Sequence, residues 1–129
     1  MPPRPTSPHL SVYKLRYTLV SSIVNRGTGL ALSFGFLVLL YWVMSLFRGP
    51  QSYAQAQMVL GHPIFKLVLT GFIFAFSYHL IAGLRHLIWD TGRGLERSQS
   101  QKSAWTVGVL SVLLTLAIAY WAFCPEAMR

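Results

Sequence analysis

The chain has 129 residues, of which 53% are hydrophobic and only 11% are charged, and its mean hydropathy is +0.48. Soluble domains carry about 25% charged residues, and a soluble domain of this size could not bury so much apolar surface. The composition therefore predicts one membrane-embedded domain, residues 1–129, and excludes a TIM barrel or a doubly wound sheet, which need a longer chain. The net charge is +8, but the basic residues lie between long apolar runs, which is typical of membrane topology signals and does not predict nucleic-acid binding.

The predicted elements begin with an N-terminal arm, residues 1–21, whose start MPPRPTSPHL is rich in proline and lacks the apolar core of a signal peptide. Three apolar segments follow, each of about 20 residues or more, which is the length that a bilayer demands. We expect them to be membrane helices because every backbone polar group must be paired inside the hydrocarbon, and because the segments do not alternate as barrel strands do. Their predicted bounds are 22–48, 64–90 and 104–124.

Proline and glycine mark the ends of the predicted spans: Gly49 and Pro50 follow the first span, and Pro125 follows the third. Residues 51–61, between the first and second spans, are mixed in polarity and predict a short interfacial helix. Residues 91–103 are rich in glycine, serine and charge, and predict a solvated loop. The fold class is therefore an all-α membrane protein with three transmembrane helices.

The distribution of lysine and arginine predicts the orientation. Eight of these residues lie on the side shared by the N-terminus and the loop after the second span: Arg4, Lys14, Arg16, Arg26, Arg85, Arg93, Arg97 and Lys102. Three lie on the other side: Arg48, Lys66 and Arg129. The N-terminus and the loop after the second span should then lie on the cytoplasmic or matrix side, and the C-terminus on the opposite side.

His79 is the ionisable residue that lies well inside a span, in FSYHLIAGLRHLIWD. Ionisable groups in membrane spans are costly and usually serve a site, and imidazole is a good axial ligand for haem iron. A neutral histidine can also be buried when its N–H finds a carbonyl, so both roles stand. The other two spans hold no second deep histidine, so a six-coordinate haem would need a ligand from another chain.

His86 follows His79 by two helical turns and so shares its face, at a separation of about 10.5 Å. This distance is too long for both side chains to bind one metal ion, but it would suit a haem whose propionates extend towards the membrane surface. Gly83, one turn from His79, would let a flat ring approach the helix, although a glycine there also serves helix–helix packing.

Ser22 and Arg26 lie one turn apart at the inner end of the first span, in SSIVNRGTG. A hydroxyl and a guanidinium beside an apolar wall are the donors that the headgroup of a quinone needs. Alternatively, Arg26 is only a topology anchor that reaches lipid phosphates. Asp90 could form an interfacial ion pair with Arg26, Arg85 or Arg93.

Three stretches together, RPTSPHLSVY, SIVNRGTGLAL and YHLIAGLRHLIWD, resemble the large cytochrome b556 membrane-anchor subunit of succinate dehydrogenase, respiratory complex II. The resemblance covers nearly the whole chain, including the three-span plan. It implies that His79 is an axial ligand of haem b, with the opposite ligand given by a small second anchor subunit, and that His86 and Arg26 lie near the haem propionates. It further implies that Ser22 and Arg26, with Ile23 in the apolar wall, line the ubiquinone site.

The resemblance also implies the partners and the reaction. Succinate would be oxidised at FAD in a flavoprotein subunit, and electrons would pass through an iron–sulfur subunit to ubiquinone, so this chain would act only in the assembled complex and would link the citric acid cycle to the respiratory chain. Members of the family often have histidine before the arginine of the first-span motif, where this chain has Asn25, which cannot carry charge or relay a proton as histidine can. The expected location is a bacterial inner membrane, with the N-terminus cytoplasmic and the C-terminus periplasmic, and a mitochondrial inner membrane is the less favoured alternative. The alternative functions are the anchor of a quinol–fumarate reductase and a haem-free structural scaffold.

Overall fold

The computed structural model describes residues 17–124, and within this range the chain forms four helices and no strand. Their bounds are Tyr17–Phe47 for α1, Pro50–Leu60 for α2, Pro63–Asp90 for α3 and Arg97–Phe123 for α4. By length and composition α1, α3 and α4 can each cross a membrane, which confirms the predicted all-α membrane fold with three spans. The arm before Tyr17, with its stretch RPTSPHLSVY, and Pro125 lie outside the described residues.

The first reversal of the chain is set by Gly49 and Pro50. Gly49 has φ +100°, a conformation that other residues rarely adopt. Pro50 then occupies the first turn of α2, where its missing N–H costs nothing. The short helix that the sequence predicts between the first two spans is therefore present as α2.

The start of α3 is capped by His62, whose side chain accepts a hydrogen bond from the backbone N–H of Ile64 at 3.3 Å. At its other end, Gly92 and Gly94 both have positive φ, and the indole N–H of Trp89 donates to the Gly94 carbonyl at 3.1 Å. The turn after α3 is thus short and fastened to the helix that precedes it.

The prediction that residues 91–103 form a loop is wrong in its second half, because α4 already begins at Arg97. The tight turn through Gly92 and Gly94 completes the reversal within a few residues. The following residues, RSQSQKS, include arginine, glutamine and lysine, which are good helix formers, and the first turns of α4 also gain contacts with Arg85 of α3.

The bundle packs through small and hydroxylated residues. The buried positions on α3 and α4 include Ala75, Ala82, Ala104 and Val107, and small side chains let membrane helices approach closely. Serine and threonine at the same faces satisfy their hydroxyls on carbonyls of their own helix: Ser77 on Ile73, Ser111 on Val107 and Thr115 on Ser111. The long apolar side chains point outwards instead, as expected for lipid-facing spans.

Candidate functional site

The imidazole of His79 lies against α1, where it is half-buried. Its Nδ1 is 3.2 Å from the backbone oxygen of Asn25 and 3.4 Å from the hydroxyl of Thr28. A carbonyl oxygen can only accept a hydrogen bond, and the Thr28 hydroxyl already donates its proton to the same Asn25 oxygen at 2.9 Å. Neither neighbour can therefore donate to Nδ1 of His79, so Nδ1 must carry the hydrogen. Nε2 is then left with the lone pair, which is the state that a metal ligand requires.

Gly29 is the reason that His79 can approach α1 so closely. A Cβ atom built at Gly29 would lie 3.1 Å from Cε1 of His79 and 3.5 Å from its Nδ1. The sequence pattern singled out Gly83 instead, where a Cβ would meet nothing within 4 Å. Gly83 therefore borders open space, which is compatible with an approaching flat ring and also with an approaching helix.

His86 is exposed, and its Nδ1 lies 2.7 Å from the carbonyl oxygen of Ala82 one turn earlier. Its ring contacts that of Trp89, with centroids 5.2 Å apart and planes tilted by 59°. By the same reasoning as for His79, Nδ1 donates and Nε2 is the available nitrogen.

Ser22, Ile23 and Arg26 all lie exposed on α1, and Ile23 is 55% accessible. The side chains of Ser22 and Arg26 form no hydrogen bond to any part of the chain between residues 17 and 124. The structure thus leaves a hydroxyl, a guanidinium and an apolar side chain in the N-terminal part of α1, available to groups outside this part of the chain.

Asn25 serves His79 through its backbone, and not through its amide. Its side-chain Oδ1 is buried and, among the described residues, has no hydrogen-bond partner. A buried acceptor of this kind is costly unless a donor reaches it. Asn25 therefore accepts a hydrogen bond from His79 at its backbone oxygen, while its buried side-chain oxygen has no donor among the described residues.

The sequence offered Arg85 only as a topology signal and as a candidate ion-pair partner of Asp90, and did not indicate its contacts between helices. Arg85 is buried, with 7% of its surface accessible. Its Nε donates to the hydroxyl of Ser103 at 2.9 Å, and one terminal nitrogen donates to the carbonyl of Ser100 at 2.8 Å. The other terminal nitrogen lies 3.4 Å from the hydroxyl of Ser21 on α1.

Two aromatic residues of α3 contact Ser21 and Arg85. The hydroxyl of Tyr78 lies 3.1 Å from Ser21 Oγ and 3.3 Å from the Ser21 carbonyl, and the guanidinium carbon of Arg85 lies 4.0 Å from the ring centroid of Trp89. We call Ser21, Tyr78, Arg85, Ser100 and Ser103 the inner polar cluster. The sequence holds one signal that could have indicated this cluster. Small and hydroxylated residues recur along α4, which is typical of a packed face of a membrane helix.

The ion pairs that the sequence left open for Asp90 do not form. Asp90 is exposed and makes no ion pair with Arg26, Arg85 or Arg93, all of which belong to the described part. Within residues 17–124, no three histidine, cysteine or acidic side chains come together as a site for a bare metal ion. A haem needs fewer protein ligands than a bare metal ion, because its macrocycle supplies the equatorial ligands and the protein supplies only axial ones. The imidazole of His79 fits that requirement.

The large cavity of the bundle, about 920 Å³, lies towards α2 and away from these residues. Its wall is mostly aromatic and aliphatic, with Trp42, Phe72 and Phe76 among its members and Lys66 at one side. None of the predicted site residues lines it.

Comparisons with known proteins agree over most of the chain. The sequence profile of the succinate dehydrogenase/fumarate reductase transmembrane subunits matches residues 1–118. The succinate dehydrogenase cytochrome b556 subunit of Paracoccus denitrificans is 41% identical over 88% of this chain and 87% of its own length, and that of Rickettsia felis is 40% identical over 89% and 90%. The mitochondrial cytochrome b560 subunit of Sus scrofa is 36% identical over 90% of this chain and 70% of its own length.

Proposed function

The chain belongs to the family of succinate dehydrogenase/fumarate reductase transmembrane subunits, and from that premise we propose that it is a membrane anchor of a succinate:ubiquinone oxidoreductase. In this proposal it shares haem b with a second anchor subunit and forms part of the site at which ubiquinone is reduced. The observation that carries the proposal is the imidazole of His79, with Nδ1 hydrogen-bonded to a backbone carbonyl and Nε2 available.

A carbonyl bound to one nitrogen of an imidazole fixes the tautomer, orients the ring and raises the basicity of the other nitrogen. His79 would thus offer the haem iron a preoriented nitrogen, held against α1 by Asn25 and Gly29. A bound haem b supplies a one-electron store within the membrane. His86 and Arg26 are the residues that would hold its propionates.

Ser22 and Arg26 would bind the ubiquinone ring, because both are hydrogen-bond donors that make no bonds within residues 17–124. Ile23 would supply the apolar wall beside them. As the quinone is reduced, negative charge grows on its ring oxygens, and donors already aimed at those oxygens stabilise that charge. The role of this chain is to bind and orient the ring and to hold protons near its oxygens.

The other steps of the reaction fall to partner subunits. Clusters are normally held by four thiolates, whereas this sequence has a single cysteine, Cys124. FAD and the iron–sulfur clusters would therefore be carried by a flavoprotein subunit and an iron–sulfur subunit, which the anchor holds at the cytoplasmic face of a bacterial inner membrane. Since the matched family also includes fumarate reductase subunits, the anchor of a quinol–fumarate reductase is the second candidate, and turnover assays in both directions separate the two.

The decisive experiment is substitution of Arg26 in the assembled complex. We expect Arg26→Leu to lower the rate of succinate:ubiquinone reduction by about tenfold or more, because one charge-assisted hydrogen bond to the quinone is lost. Electron transfer from succinate to a soluble dye, which bypasses the membrane, should be unchanged.

Arg48→Leu is the matched control, since it removes an exposed arginine at the opposite end of α1. Equal loss of quinone and dye activities in Arg26→Leu would indicate failed assembly, and normal quinone reduction would contradict the proposed role of Arg26. A purified complex that is intact but contains no haem would favour the structural scaffold.

A further inference from the structure

The inner polar cluster joins three helices at one level of the bundle. Arg85 on α3 donates to Ser21 on α1 and to Ser100 and Ser103 on α4. Tyr78, two turns earlier on α3, donates to the same Ser21. The two members of this cluster on α3 that reach α1 therefore meet at one serine.

This cluster holds a buried cation without a counterion. Among the described residues no carboxylate pairs with Arg85, so its charge is compensated by hydroxyls, a carbonyl and the face of Trp89. Burying a charge is costly unless its hydrogen bonds are made, and the planar guanidinium makes them in fixed directions. The positions of its acceptors are therefore tightly defined.

The cluster lies directly behind the proposed site. Ser21 precedes Ser22 in the chain, and the two point to different sides of α1, one buried and the other exposed. Consecutive residues on a helix are separated by about 100° and 1.5 Å. Fixing the buried serine consequently fixes the rotation and the height of the exposed one, and of Arg26 one turn further on.

We propose that Arg85 is a positioning residue for ubiquinone binding: by holding Ser21 it sets how α1 presents Ser22 and Arg26. This inference rests on the proposed function. Arg85 touches neither of those side chains and acts only through the helix that carries them. A residue with a purely structural role would change the amount or the thermal stability of the complex and leave the affinity for quinone intact.

The test uses the complete complex in membranes with Arg85→Gln, Ser21→Ala and Tyr78→Phe. We expect Arg85→Gln and Ser21→Ala each to raise the KM for ubiquinone by about tenfold, the size of one hydrogen bond to a charged group, with kcat within about twofold. Tyr78→Phe should raise the KM by a smaller factor. The Kd of a quinone-analogue inhibitor, measured without turnover, should rise in parallel, and the haem spectrum should be unchanged.

Three further variants sharpen the result. Arg93→Gln removes an exposed arginine just beyond α3 and should leave the KM unchanged. Arg85→Lys keeps the charge but loses the forked donors, so it should not restore the KM. The double variant Arg85→Gln with Ser21→Ala should match Ser21→Ala alone, because that single variant has already lost the contact between Arg85 and Ser21.

A normal KM and a normal inhibitor Kd in assembled Arg85→Gln or Ser21→Ala would overturn the inference, even if less complex were recovered. If Arg85→Gln does not assemble, Ser21→Ala decides, since it leaves the charge in place. Arg26→Leu is measured in parallel. If it too leaves the quinone kinetics normal, the proposed function fails; if it impairs them while Ser21→Ala does not, only the positioning role fails.

Discussion

At the scale of single residues, the chemistry of this chain depends on which atom of each side chain is already engaged. His79 spends Nδ1 on the carbonyl of Asn25, and this leaves Nε2 for a ligand. Asn25 contributes to His79 through its backbone carbonyl, which any residue at this position would supply. Its buried Oδ1 remains without a donor among residues 17–124. The support of the imidazole therefore depends on the backbone at Asn25 and not on its side chain.

Removal of the His79 imidazole should remove the haem. We expect His79→Ala to lower the haem content of the purified complex by about tenfold or more, because even substitutions that only support a ligand cost 10- to 100-fold in affinity. The measurement is the b-type absorbance per mole of complex. His62→Ala is the control, since His62 only caps the start of α3 and its loss should cost about 1 kcal/mol without a change in the spectrum. An unaltered spectrum in His79→Ala would show that another group binds the iron.

At the scale of helices, what matters is the face that each span turns to its neighbours. The bundle is closed by small residues, and at Gly29 and Gly35 side chains of α3 lie close to the backbone of α1. A Cβ at Gly29 would lie 3.1 Å from His79, and one at Gly35 would lie 3.0 Å from the ring of Phe72. The glycines of α1 therefore determine the distance between the helix that carries the proposed ligand and the helix that carries the proposed quinone donors.

A pair of glycine substitutions two residues apart tests this closeness. Gly29→Ala and Gly27→Ala gain the same helix propensity, about 1 kcal/mol, but a Cβ at Gly27 meets nothing within 4 Å. We expect Gly29→Ala to be less stable than Gly27→Ala by about 1–3 kcal/mol, the usual cost of overpacking, and to shift the haem bands. Thermal unfolding followed at the haem absorbance compares them. Equal unfolding midpoints and identical haem spectra for the two variants would show that the His79 side chain moves aside without loss of stability.

The helices also show how far the sequence alone could reach. Uninterrupted apolar length predicted three spans, and Gly49 and Pro50 predicted the break before α2, because both signals are local. The rotation of each span could not be predicted, since α1 and α3 are apolar around most of their circumference. The sequence therefore indicated a topology signal or a surface ion pair for Arg85, whereas the structure buries it. The sequence also pointed to Ser22, whereas the neighbouring Ser21 makes the contacts between helices. The early start of α4 could not be predicted either, since it depends on a contact between distant parts of the chain. Arg85 on α3 donates hydrogen bonds to Ser100 and Ser103 in the first turns of α4.

At the scale of the whole molecule, α3 lies in contact with both α1 and α4, and α1 is the least covered span. Only 6% of the residues in its most apolar stretch are buried by the part of the chain between residues 17 and 124, so this part leaves most of that stretch of α1 uncovered. The residues proposed for haem and quinone all lie towards one end of the bundle, which is also the end that holds the inner polar cluster. The excess of lysine and arginine lies at that end too, and this predicts that it faces the cytoplasm.

The single cysteine gives a direct test of this orientation. Cys124 ends α4 at the opposite side of the bundle and is partly accessible, so we expect a membrane-impermeant maleimide to modify this subunit in right-side-out vesicles. A variant with Cys124→Ser and Ser98→Cys moves the thiol to the exposed start of α4 and should react only after the vesicles are opened or inverted. Mass spectrometry of the subunit separates its thiol from those of partner subunits. The reverse pattern, with Cys124 protected and the thiol at position 98 modified from outside, would contradict the predicted topology and would place the proposed quinone site at the periplasmic face, away from any cytoplasmic source of electrons.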